Sequence, residues 1–141
     1  MPKFAGNLTM LFNDLPFLGR FAAASLAGFT AVEFLFPYDY PAARINERLA
    51  TSGLKQVLFN LPCGDWGAGE RGLAASPDRV EEFRKGVSQA LAYAQALGVP
   101  QLNCLAGKRV SGFSDEEHRI TLVANLRFAS ASSGLESWAS P

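Results

Sequence analysis

Apolar positions along this chain change their spacing in a regular way, and the changes divide it into alternating strands and helices. Residues 4–12 form a mostly apolar run that reads as a buried strand and its exit. Leu15, Leu18, Ala22, Leu26 and Phe29 then recur every three or four positions, the period of a helix face. Gly28 falls where a helix C-terminal cap belongs. Residues 31–36 are nearly all apolar, as parallel strands covered on both faces tend to be. Pro37 and Pro41 bracket the exit from that strand, and Ile45 and Leu49 mark a second, weaker helix that stops at Gly53. Val57, Leu58 and Phe59 lead a third strand into the polar, glycine-rich stretch 60–72, NLPCGDWGAGERG.

Beyond that stretch, Ser76 is a candidate N-cap, with Pro77 at the first helical position and Asp78 and Glu81 complementing the helix dipole. Val80, Phe83, Val87, Leu91, Ala94 and Leu97 form the clearest helical stripe in the chain. Gly98 ends it and Pro100 prevents a restart. Residues 102–107 read as a fourth strand. Ser114 and Glu117 make a capping box ahead of a fourth helix carrying Leu122, Val123, Leu126 and Ala129. Strand and helix thus alternate four times, which predicts an α/β fold with a parallel sheet and right-handed crossovers. Residues 1–130 carry this pattern; the serine-rich residues 131–141 read as an irregular tail and offer no fifth strand.

Composition narrows the functional classes. About half of the 141 residues are apolar, enough for a real core. Thirteen Lys and Arg balance thirteen Asp and Glu, which argues against nucleic acid or an anionic membrane as partner. No apolar run approaches the roughly 18 residues of a membrane-spanning helix, and no signal peptide is visible. Two cysteines without framework spacing fit a reduced, cytoplasmic setting.

Candidate chemistry concentrates at predicted strand ends, where α/β folds build their sites. The connection 60–72 carries Asp65, Trp66, Glu70 and Arg71 between glycines, a poor composition for a disordered linker, and reads as a site wall or lid. Glu70 and Arg71 either close over a small carboxylate, the arginine by bidentate pairing, or form a surface salt bridge that holds the loop. Asn7, Asn60 and Asn103 sit near the C-terminal parts of strands, where neutral polar groups orient a substrate or hold loops. Glu33, inside an apolar strand, needs a donor, and either makes a structural hydrogen bond or lines a site. Lys108 follows Gly107 at a strand exit, as counter-charge to an anionic substrate or as an ordinary exposed lysine. The one histidine, His118, lies between charged neighbours on the fourth helix and is expected to be solvated rather than a ligand. Cys63 and Cys104 are expected to be reduced, structural thiols. Gly67 and Gly69 lack the third glycine of a dinucleotide fingerprint.

Four segments together carry a family likeness: 4–12 (FAGNLTMLF), 32–40 (VEFLFPYDY), 60–72 and 103–108 (NCLAGK). They resemble the hydroxypyruvate isomerase family of xylose isomerase-like TIM barrels, over about residues 3–130. The resemblance implies a cytoplasmic isomerase of the aldose–ketose type, interconverting hydroxypyruvate and tartronate semialdehyde in glyoxylate metabolism. It also implies a small hydroxy or keto acid as ligand and a divalent metal, Mg or Mn. A whole barrel needs roughly 250 residues, whereas this chain has half of the strand–helix units. The resemblance places the metal ligands and the two proton-moving glutamates on later strands, the first in a Glu-Pro-Ile-Asn segment that this sequence lacks. It therefore implies no catalytic or metal-binding residue here, only the substrate-binding or site-lining candidates Asn7, Glu33, Asn60, Asp65, Glu70, Arg71, Asn103 and Lys108.

The expectation is a truncated half-barrel, inactive alone, its end read as a frameshift or premature stop, that associates with itself or pairs with a missing C-terminal half. A ketose 3-epimerase of the same superfamily and a non-catalytic remnant or interaction module are the alternatives. Residues 65–71 favour the isomerase.

Overall fold

In the computed structural model, which describes residues 2–134, strands and helices alternate as the pattern predicts. The order is β1 (Gly6–Asn7), a 3-10 turn (Phe17–Gly19), α1 (Arg20–Leu26), β2 (Ala31–Glu33), α2 (Ala42–Ser52), β3 (Lys55–Asn60), α3 (Val80–Leu97), β4 (Leu102–Asn103) and α4 (Asp115–Ser132). The strands form one parallel sheet in sequence order, β1-β2-β3-β4. Asn7 stands opposite Glu33, and Asn60 opposite Asn103. Between Val32 and Glu33 the β2–β3 register slips by one residue. No described helix is long and apolar enough to cross a membrane.

Three of the four strands are shorter than their apolar runs. At β1 the chain turns at once: the Leu11 N–H reaches back to the Asn7 carbonyl (2.9 Å), and Phe12 takes a φ of +60°. The first helix also differs from its predicted stripe. Phe21 and Ala24 are buried, whereas Leu26 is 90% exposed. Phe21 meets Phe17 (5.4 Å) and Phe34 (5.9 Å) edge-on, and these large rings set the buried face.

The chain divides into two units. The first comprises the residues up to Asn60 together with Ala92–Asn103. Its core gathers Leu8, Phe21, Val32, Phe34, Ile45, Leu49, Leu54 and Leu97. Phe17 stacks on Tyr40, and the Tyr93 hydroxyl donates to the Tyr40 carbonyl (2.8 Å).

The second unit comprises Leu61–Leu91 and the residues from Cys104 onward. It buries Leu61, Cys63, Leu73, Ala74, Phe83, Val87 and Ala90. Its α3 begins at Val80, later than Ser76 and Pro77 predict, because residues 77–78 form a turn closed by the Arg79 N–H on the Ser76 carbonyl (3.2 Å). The predicted capping box is present at α4: Ser114 accepts from the Glu117 N–H, and the Glu117 carboxylate accepts from the Ser114 N–H.

Helix α4 overturns two expectations. Its buried residues are His118 and Asn125, while Ile120, Val123 and Leu126 remain exposed. His118 is not solvated: its Nε2 accepts from the Val110 N–H (2.9 Å), and its Nδ1 lies 2.8 Å from the Ser114 carbonyl. Asn125 donates to the Ala74 carbonyl (2.9 Å). Both side chains are inside because they satisfy loop backbone, a demand that apolar periodicity does not encode. α4 continues through Ser132, into the stretch read as an irregular tail, of which residues 135–141 lie outside the described residues.

Candidate substrate-binding site

The candidate residues fall into two sets, one in each unit. In the first unit, strand register creates side-chain couples. Asn7 Nδ2 donates to Glu33 Oε1 (3.0 Å), and Asn7 Oδ1 accepts from the Thr9 N–H (3.0 Å). Glu33 thereby has its donor, and its second carboxylate oxygen carries no hydrogen bond among the described residues. Across β3 and β4, Asn103 Nδ2 donates to Asn60 Oδ1 (3.0 Å). The Asn60 carbonyl accepts from the Tyr38 hydroxyl (2.7 Å). Asn60 is buried and Asn103 exposed, so this couple runs from interior to surface. Two pairs of polar groups thus stand on neighbouring parallel strands, each fixed by its partner.

In the second unit, the stretch 63–72 folds on itself. The Asp65 carboxylate accepts from the Ala68 N–H (2.9 Å), while the Asp65 N–H donates to Glu70 Oε2. The other Glu70 oxygen pairs with Arg79, whose guanidinium also grips Glu82 through Nε and Nη2 (both 2.8 Å). Arg79 holds the Glu70 carboxyl below its ordinary range, and the Asp65 amide adds to the effect. Glu82 first and Glu70 second hold Arg79 above its ordinary value.

Arg71 does not pair with Glu70. Its Nη1 donates to the carbonyls of Trp66 (3.1 Å) and Glu70 (2.6 Å), and its guanidinium lies 4.0 Å over the Trp66 ring. Such stacking and backbone anchoring preorganise an arginine fork.

A second loop meets this one at two glycines. Gly72 bridges Ala106 in antiparallel fashion, and the Ala75 N–H donates to the Ala106 carbonyl (2.9 Å). Gly72 and Gly107 have φ of +128° and +99°, and a Cβ on either would overlap the backbone of the other loop. This crossing brings Arg71 and Lys108 to one cleft of about 380 Å³, lined also by Glu70, Ser76, Arg79 and Arg109. Arg109 pairs with Asp115. Lys108 is exposed and has no ion pair among the described residues.

Arg79 and Arg109 escaped the sequence reading. Arg79 precedes Glu81 and Glu82 at a helix start, where it resembles an ordinary helical ion pair, and nothing local signals its reach to Glu70. Cys63 and Cys104 are free thiols, and burial pushes both above the ordinary thiol range. Among the described residues no three His, Cys, Asp or Glu side chains gather as a metal site requires.

The family model described as xylose isomerase-like TIM barrel matches residues 21–134. The chain belongs to that family. Its four βα units correspond to half of the barrel. Among curated relatives it is 53% identical over 129 residues to hydroxypyruvate isomerase of Escherichia coli K12, covering 92% of this chain and 50% of that protein. It is 51% identical to 2-oxo-tetronate isomerase of Pectobacterium atrosepticum, covering 92% of this chain and 49% of that one. The chain thus spans about half the length of the curated relatives it matches. A solved structure of AP endonuclease, family 2 from Brucella melitensis superposes with a TM-score of 0.91 at 47% identity, covering 96% of this chain and 52% of that one. D-allulose 3-epimerase from Methylomonas shares the fold alone, with a TM-score of 0.68 at 20% identity over 94% of this chain and 48% of that one. The relatives support an isomerase by family.

Proposed function

We propose that this chain is the N-terminal, substrate-contacting half of an aldose–ketose type isomerase that interconverts hydroxypyruvate and tartronate semialdehyde in cytoplasmic glyoxylate metabolism. The observation that carries this reading is the identity of about half to relatives named hydroxypyruvate isomerase and 2-oxo-tetronate isomerase. Both names denote 2-oxo acids, and a cleft rich in arginine and lysine suits an acid.

The reaction moves a proton between neighbouring carbons beside a carbonyl. It needs a base with a pKa near neutrality and stabilisation of the oxyanion that forms. In this reading the chain's own residues bind and orient: in the cleft of the second unit Arg71 and Lys108 supply the positive charge that holds an acid. The proton-moving glutamates and the divalent metal, Mg or Mn, belong to the half of the family fold that the chain does not span. The 141-residue chain alone is therefore inactive.

The test is a hydroxypyruvate isomerase assay with Mg²⁺ or Mn²⁺ on this chain, on a separate polypeptide carrying the second half of a relative, and on their mixture. Activity in the mixture only is the expected result. A silent mixture of two folded halves, or turnover by the chain alone, overturns the reading.

A further inference from the structure

The two glycines at the loop crossing do more than close a turn, because they decide which cations share the cleft. Four basic side chains line it: Arg71, Arg79, Lys108 and Arg109. Two of them are spent. Arg79 is held between Glu70 and Glu82, and Arg109 faces Asp115. Arg71 is anchored through Nη1 alone, so Nε and Nη2 carry no hydrogen bond among the described residues. Lys108 has no carboxylate partner there at all.

Two acids also line the cleft. Glu70 is neutralised by Arg79, which leaves the exposed Asp78 as the lining acid without a cation partner among the described residues. Unmatched charge in the cleft is therefore net positive in a chain whose formal charge is zero. Both Glu70 oxygens are engaged in bracing the loop, one by the Asp65 N–H and one by Arg79.

We propose that this cleft is a carboxylate subsite in which Arg71 offers a planar fork and Lys108 a point charge, and that Lys108 sets selectivity for an acid over an uncharged ketose. Arginine suits the two in-plane oxygens of a carboxylate, and a flexible ammonium adds charge without demanding one geometry. Trp66 beneath the guanidinium and the two carbonyls on Nη1 reduce the ordering that binding would otherwise require. The ligand class rests on the isomerase reading above, while the binding itself needs neither turnover nor metal.

The experiment titrates the 141-residue chain, free of metal, with tartronate and separately with dihydroxyacetone, by calorimetry at low ionic strength. Saturable binding of tartronate, weakened by added salt, and none of dihydroxyacetone are expected. Lys108→Met should weaken tartronate binding by about tenfold or more, the loss that follows removal of one hydrogen bond to a charged group. Lys108→Arg should retain most of it, and Lys85→Met, on the exposed face of α3, should change nothing. Absence of tartronate binding, equal binding of both probes, or an unaltered Lys108→Met overturns the subsite. Tartronate binding through Lys108 beside a silent two-half mixture sinks the isomerase and leaves the subsite standing. Isomerase activity with the acid preference unchanged in Lys108→Met does the reverse.

Discussion

Glu70 shows how one side chain changes meaning between sequence and structure. Beside Arg71 it reads as half of a substrate clamp or of a local ion pair, yet its oxygens go to Arg79, nine residues on, and to the Asp65 amide. Sequence proximity is a poor guide here because the loop doubles back and the nearest cation is claimed by Trp66 and backbone carbonyls. The bracing has a pH signature. Glu70 titrates in the folded chain below its ordinary value, with Arg79 the larger cause, so the unfolded chain takes up the proton first. Its contribution is complete above the ordinary carboxyl value of about 4.3 and is lost as pH falls through the lower, folded-state value. Glu116, lowered by Arg119, and Glu117, lowered by the Ser114 cap, respond in the same window. In urea titrations between neutral pH and pH 3, Glu70→Gln should flatten, without abolishing, the acid decline in stability. A decline of undiminished steepness would remove Glu70 from the account.

At the scale of elements, short-range rules wrote some starts and stops correctly, although Ser76 and Pro77 mark the start of α3 too early. Gly53 ends α2 with a φ of +64°, and the Ser114–Glu117 box opens α4 as its spacing dictates. Strand lengths were less legible, since an apolar run does not say where ladder pairing stops. The face of α4 was illegible for a deeper reason: periodicity marks which side is apolar, not which side is covered. What α4 covers is decided by His118 and Asn125, which supply hydrogen bonds to Val110 and Ala74. His118→Ala should leave the Val110 N–H unpaired and cost about 1–3 kcal/mol in chemical denaturation. Amide exchange at Val110 should quicken more than exchange inside α3. Unchanged stability with unchanged exchange would show that water replaces the ring at no cost. Of the candidate site, the sequence placed all eight side chains correctly on strands or loops. Their couplings were not, because Asn7 with Glu33 and Asn60 with Asn103 depend on register between strands far apart in sequence.

For the molecule as a whole, the unmet demand is apolar. β1 and β4 each have one strand neighbour in the sheet order, and Phe4 (75%), Leu26 (90%), Ile120 (55%) and Leu126 (43%) are exposed. Unpaired edges and apolar surface favour association. The chain alone should therefore elute from size exclusion, with light scattering, as more than a monomer. Ile120→Glu together with Leu126→Glu should shift it toward monomer, and a relative's second half should compete for the same surface. A monodisperse, cooperatively unfolding monomer would count against this. The meeting of Gly72 with Gly107 has its own consequence for anyone redesigning the protein. Neither backbone tolerates a side chain at that junction, so the two connections fit only as one module. A library randomised in one of them alone, or a graft taken from an epimerase into one alone, would fill with chains that cannot close, whereas both segments transplanted together would retain their fit.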